Sequence, residues 1–97
     1  MNDWQAAGQA ILLVSGKWTV PVLGELRRSP RNYNDLARAV GTDHKTLTRT
    51  LQRLQADNLV LRESHGPQRV TYRLAPRARE ITNLIEALGC WWKSTAA

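Results

Sequence analysis

Ninety-seven residues are one domain's worth of chain, and 42% apolar residues are enough for a folded core, which excludes a disordered chain. The longest apolar run, Ala10 to Val14, is far below the ~20 residues that span a bilayer and lacks the basic flank of a secretory leader; a cytoplasmic protein with no membrane partner is expected. The net charge is +6, and twelve basic against four acidic residues lie between Arg27 and Arg79, which marks a footprint for a polyanion.

In chain order, Gln5 to Val14 predicts a first helix through Ile11, Leu12 and Leu13, interrupted at Gly16. A second helix follows, with Pro21 in its first turn and Val22, Leu23 and Leu26 on one buried face, and Ser29-Pro30 ends it. Asn34 is the expected N-cap of a short third helix, Asp35 to Val40, which Gly41 stops. Asp43 caps a fourth helix carrying Leu47, Leu51 and Leu54, and Asp57-Asn58 closes it, Asn58 in a left-handed conformation. The pattern then changes period. Leu59-Val60-Leu61 predicts one strand, and Val70, Tyr72 and Leu74 alternating with Arg69, Thr71 and Arg73 predict a second with a basic outer face. His65-Gly66-Pro67 punctuates the hairpin. Pro76 opens a last helix with Ala78, Ile81, Leu84, Ile85, Leu88, Trp91 and Trp92 on one stripe. This is the order of a winged helix-turn-helix, mainly α with a small β-hairpin wing.

The fourth helix holds the candidate DNA-reading residues. With Leu47 set at zero and about 100° per residue, Leu51 and Leu54 lie within about 40° of it. Lys45, Arg49 and Gln52 fall near the opposite pole, Thr48 and Arg53 flank them, and His44 sits in the exposed first turn. Arg and Lys reach guanine edges, Gln pairs with adenine, and Thr reaches bases or phosphate. Arg62, Arg69 and Arg73 line the hairpin, with His65 near a slim tip; such wings touch phosphates and the minor groove. The expected partner is double-stranded DNA.

Other chemistries find no support. Gly16-Lys17-Trp18-Thr19 is not a phosphate-binding loop, because Ile11 stands where its first glycine belongs and Trp18 where Ser or Thr must follow the lysine. His44 and His65 have no carboxylate or thiol at ligand spacing, so neither a metal nor a catalytic set is expected. The chain reads as a non-enzyme without a cofactor. The alternative function is a protein-interaction module on the same scaffold.

Gly16-Lys17-Trp18-Thr19, Tyr33-Asn34-Asp35-Leu36, the leucine series followed by Asn58-Leu59-Val60, and Arg69-Val70-Thr71-Tyr72 with Leu74 together resemble regulators of the HxlR type. The resemblance covers nearly the whole chain. It implies a dimeric winged-helix regulator, expected to act as a repressor, with residues 1–28 and 76–95 as dimerisation helices, 34–57 as helix-turn-helix and 59–75 as wing. An inverted-repeat operator and release by a small-molecule effector are part of that expectation. Trp4, Trp18, Ile81, Leu84, Leu88, Trp91 and Trp92 are the candidates either for an aromatic effector pocket or for a dimer interface.

The chain departs from the family pattern in two places. Members that sense oxidants carry a cysteine near the N-terminus, where Met1 to Gln5 has none, and the wing is about two residues shorter and lacks an aromatic. Cys90 lies late in the last helix, toward its negative end, which disfavours a thiolate. No thiol switch is therefore expected, an intersubunit Cys90 disulfide being the one route left open.

Overall fold

The computed structural model describes residues 1–96. Its elements are α1 (Asp3–Leu13), α2 (Thr19–Arg28), β1 (Arg31–Asn32), α3 (Tyr33–Val40), α4 (His44–Ala56), β2 (Val60–Ser64), β3 (Val70–Leu74) and α5 (Pro76–Thr95). This is a winged helix-turn-helix, mainly helical with one small antiparallel sheet.

Local chemistry accounts for most boundaries. Asn2 and Gln5 form a reciprocal capping box at the start of α1, each side chain accepting from the other's backbone N–H. Gly41 closes α3 at φ 77°, the left-handed cap that glycine adopts without a Cβ penalty. Asn58 turns the chain out of α4 at φ 58°, as its residue type predicts. Pro76 opens α5, where its missing N–H leaves no hydrogen bond unmade.

Two sequence expectations are corrected. The N-cap of α3 is Asn32 and not Asn34: the Asn32 side chain accepts from the Asp35 N–H at 2.8 Å, which starts the helix at Tyr33 and places Asn34 inside its first turn. The sheet also has three strands and not two, because Arg31 and Asn32 pair with Tyr72 and Thr71, giving the order β1-β3-β2. Arg31 reaches Glu25 of α2 at 3.3 Å, tying this short strand to the helix before it.

One apolar core joins α2, α3, α4 and the sheet through Val22, Leu23, Leu26, Leu36, Leu47, Leu51, Leu54, Leu59, Val60, Tyr72, Leu74 and Ala78. The terminal helices stand partly outside it. No residue of α1 is buried, and beyond Thr82 no residue of α5 is. The radius of gyration, 14.3 Å, exceeds the ~13 Å of a compact domain of about 100 residues, as projecting helices require.

Leu54 is fully buried between α4 and the sheet-side core. Leu54→Ala leaves a cavity there and should destabilise the fold by about 2–5 kcal/mol, a large part of the roughly 5–15 kcal/mol available to a small domain. Urea unfolding followed by far-UV circular dichroism measures it; a loss below about 1 kcal/mol would show that the core does not depend on this seam.

Candidate nucleic-acid interface

The site is built on α4, which buries Leu47, Leu51 and Leu54 and leaves His44, Lys45, Thr48, Arg49 and Gln52 exposed. A 3.6-residue repeat with leucines at i, i+4 and i+7 cannot hide one face without showing the other. Lys45, Arg49 and Gln52 have no side-chain partner among the described residues, so their donors face solvent uncommitted.

Both sides of the turn before α4 are fixed. Gly41, Thr42 and Asp43 join α3 to α4, and the Asp43 carboxylate accepts from the Thr46 N–H at 2.8 Å and from the Thr46 hydroxyl at 3.0 Å. Those bonds, the backbone one foremost, hold the Asp43 carboxyl below its ordinary value of 3.8, with Arg49 adding a small attraction.

Tyr33 is the functional residue that sequence reasoning did not single out. From the first position of α3 its hydroxyl donates to the His44 carbonyl at 2.8 Å and meets the Thr48 hydroxyl at 2.8 Å. With one phenolic proton used on His44, the Thr48 hydroxyl donates to Tyr33. The Tyr33 ring stands edge-on to His44, centroids 5.2 Å apart, and lies 6.5 Å from the Tyr72 ring of β3. A chain of three aromatic rings thus runs from the wing to the first turn of the exposed helix. The only sequence signal was its place in Tyr33-Asn34-Asp35-Leu36.

Arg53 is placed differently from its neighbours. Its guanidinium turns back to the α1–α2 corner, donating to the Ser15 carbonyl at 3.0 Å and to the Thr19 hydroxyl. It is committed to the protein, whereas the expectation had it flanking the DNA-reading face.

In the wing, β2 and β3 pair from Val60↔Leu74 to Ser64↔Val70, with residues 65–69 as the tip. The tip closes through the His65 N–H to the Arg69 carbonyl at 2.7 Å, with Gly66 at φ 104° and Gln68 at φ 64°. His65 Nε2 lies 2.9 Å from the Thr71 hydroxyl. The three arginines do not form one basic row. Register puts Arg62 opposite Tyr72 and Arg73 opposite Leu61, so Arg62 and Arg73 lie on opposite faces. Arg73 is also neutralised by Glu63 at 2.7 Å. Arg62 and Arg69 remain exposed and have no partner among the described residues.

The seven residues expected at an effector pocket or interface do not converge on one cavity. A groove of about 900 Å³ lies between α2 and α5, floored by Leu23 and Ile85, but of the seven only Trp92 lines it. Trp4 is 88% exposed on α1, Leu84, Leu88 and Trp91 are exposed on α5, Ile81 packs partly into the core, and Trp18 is half-buried with the Lys17 ammonium 5.1 Å above its ring. Cys90 lines the same groove and is exposed in the protomer, five residues before the end of α5.

A leucine-seamed helix with an uncommitted polar face, set after a three-residue turn and before a hairpin, is the arrangement of a DNA-reading regulator. A model of the HxlR-like helix-turn-helix matches residues 13–97. The chain belongs to this family. An uncharacterised HTH-type transcriptional regulator of Halalkalibacterium halodurans is 34% identical to it over 89 residues, which are 88% of this chain and 78% of that one. YtfH of Escherichia coli, also an uncharacterised HTH-type transcriptional regulator, is 31% identical over 81 residues, 80% of this chain and 64% of YtfH. Among solved structures, a transcriptional regulator of Enterococcus faecalis V583 described as of the MarR family superposes with a TM-score of 0.91 at 28% identity, over 99% of this chain and 90% of that one. The oxidised redox regulator HypR shares the fold, with a TM-score of 0.80 at 24% identity, over 93% of this chain and 96% of that one. The relatives from Halalkalibacterium halodurans, Escherichia coli and Enterococcus faecalis are all described as transcriptional regulators. No helix of the described residues is long and apolar enough to cross a membrane.

Asp43 gives the HxlR-like turn a pH signature. Its carboxyl is held lower in the folded chain than in the unfolded one, so the cap stabilises above about pH 4 and its contribution is lost as pH falls through the folded value. Asp43→Ala should therefore lower the Tm at pH 7, with the gap to wild type narrowing at pH 3. Calorimetry at the two pH values checks this; an equal gap at both would remove the carboxylate from the account.

Proposed function

We propose that this HxlR-like chain is a cytoplasmic homodimeric repressor that reads an inverted-repeat operator. In this reading α4 enters the major groove, with Arg49 and Lys45 toward guanines, Gln52 toward adenine, and His44 and Thr48 at the groove edge. Arg62, Arg69 and His65 serve the phosphates and minor groove, with Arg73 contributing least because Glu63 already holds it. Arg53 is withdrawn from direct contact. The observation that carries the reading is the row of solvent-facing donors on α4, held in place by a buried leucine seam and by Tyr33.

The dimer rests on a second observation. Trp4, Ile11 and Leu12 on α1 and Leu84, Leu88, Trp91 and Trp92 on α5 are each more than half exposed, large apolar side chains of the kind that an interface covers. A two-fold axis through these helices brings two copies of α4 into successive major grooves, about 34 Å apart. The open α2–α5 groove, with Trp92 at its wall, is where an aromatic effector that releases the operator is assigned.

An operator selected from random duplexes with the purified chain makes the reading testable. Arg49→Ala should weaken that site by about 1–3 kcal/mol and relax base preference at one position per half-site. Arg69→Ala should weaken specific and random duplexes alike and shallow the salt dependence by about one unit. If Arg49→Ala changes neither affinity, α4 does not read the sequence. An affinity for a protein partner that survives 200 mM salt, with no selected duplex, favours the interaction-module reading instead.

Sedimentation tests the assembly separately. The chain should run as a dimer at micromolar concentration, and Leu88→Glu with Trp91→Glu should convert it to a monomer that still gives the wild-type near-native circular dichroism. A monomeric wild type with a non-palindromic site would overturn the two-fold arrangement.

A further inference from the structure

The corner Gly16-Lys17-Trp18-Thr19 is neither a phosphate loop nor part of the DNA-facing surface, yet it is built with care for one occupant. Arg53 of α4 donates to the Ser15 carbonyl at 3.0 Å and to the Thr19 hydroxyl, and Thr19 donates its own proton to the same carbonyl at 2.9 Å. Thr19 is 1% exposed, so its hydroxyl has this network in place of water. Gly16 keeps the seat open. Its φ is 113°, which L side chains rarely adopt, and a Cβ there would lie 3.0 Å from the Thr19 hydroxyl and 3.4 Å from an Arg53 nitrogen. Lys17 does not compete, since its ammonium is held over the Trp18 ring.

The acceptor in this seat belongs to α1. Val14 donates to the Ala10 carbonyl at 3.2 Å, and Ser15 donates to Leu12 twice, from its N–H at 3.3 Å and its hydroxyl at 2.8 Å. Ser15 is therefore a rigid continuation of the last turn of α1. A tilt of α1 moves the Ser15 carbonyl, and a planar guanidinium bonded to that carbonyl must follow or lose the bond. The bond joins the residue that continues α1, a helix with no buried residue of its own, to the helix that displays Arg49 and Gln52.

We propose that the Arg53 seat couples α1 to the pose of α4, so that a partner or ligand which shifts α1 changes operator affinity through a positioning residue that does not touch DNA. The inference rests on the DNA-reading function assigned above and supplies its regulation. Glycine, threonine and the arginine then have one common role: the first leaves room, the second completes the acceptor pair, and the third senses it.

The test separates positioning from phosphate contact by keeping the charge. Arg53→Lys retains the cation but loses the planar fork, and Thr19→Val removes a buried hydroxyl that DNA cannot reach. Each should weaken the selected operator about tenfold while leaving random-duplex affinity and salt dependence unchanged. The double variant should be no weaker than the weaker single, since both break one network. Thr19→Ser, which keeps the hydroxyl, should bind as wild type. Circular dichroism melts confirm that each variant is folded at the assay temperature. Wild-type affinity in both Arg53→Lys and Thr19→Val overturns the coupling, as does a double variant whose loss is the product of the two. A readout without DNA distinguishes this failure from failure of the operator reading: Thr19→Val should speed amide exchange in the last two turns of α4, and unchanged exchange there overturns the coupling whether or not the chain binds DNA.

Discussion

The buried seam of Leu47, Leu51 and Leu54 is the constraint from which the interface follows. Fully burying a leucine side chain contributes roughly 1.5–3 kcal/mol, so three together approach the whole stability of a small domain. Rotating α4 by even one position would bring polar residues into the core and expose a leucine. The same hydrophobic term that folds the chain therefore orients Lys45, Arg49 and Gln52 outward. Their availability is a by-product of packing, needing no separate device to hold them in water.

Rotation about the helix axis is only one freedom, and the ends of α4 control the others. Asp43 and Tyr33 fix the N-terminal turn, the first by capping and the second by bonding the His44 carbonyl. Arg53 fixes the C-terminal half against the α1–α2 corner. The arginines divide accordingly into two populations. Arg27, Arg31, Arg53 and Arg73 bond to Glu86, Glu25, the corner and Glu63, and hold elements together. Arg49, Arg62 and Arg69 are left uncompensated among the described residues, and these supply the positive potential that a polyanion meets.

Period and punctuation made the architecture legible. The leucine spacing of α4, the alternation of β3, and the cap residues Asp43, Asn58 and Pro76 each sit where the sequence pattern places them. What was hidden depended on partners distant in the chain. Asn32 and Asn34 are chemically equal candidates for a cap, and only the direction of the backbone after Pro30, set by pairing with β3, chooses the first. Arg53 and Arg49 are indistinguishable on a helical wheel beyond their angle, because the acceptors that claim Arg53 lie 34 and 38 residues away. Arg73 likewise looked free until strand register brought Glu63 beside it. A wheel and an alternation record orientation; they carry no information about which charges are already taken.

The two-residue strand β1 has a consequence for the cost of recognition. It pairs with β3 at Thr71 and Tyr72, so β3 is held on both flanks, by β1 and by β2, while residues 65–69 extend beyond the paired strands. Val60 and Leu74 already anchor the base of the hairpin in the core, and without β1 more of the length beyond them would be left to immobilise when a duplex arrives. Here the conformational entropy still to be lost is confined to a five-residue tip and a few long side chains, at roughly 1–2 kcal/mol per residue of backbone fixed. Much of the ordering is completed when the chain folds, and the third strand, too short to add much stability by itself, is what completes it.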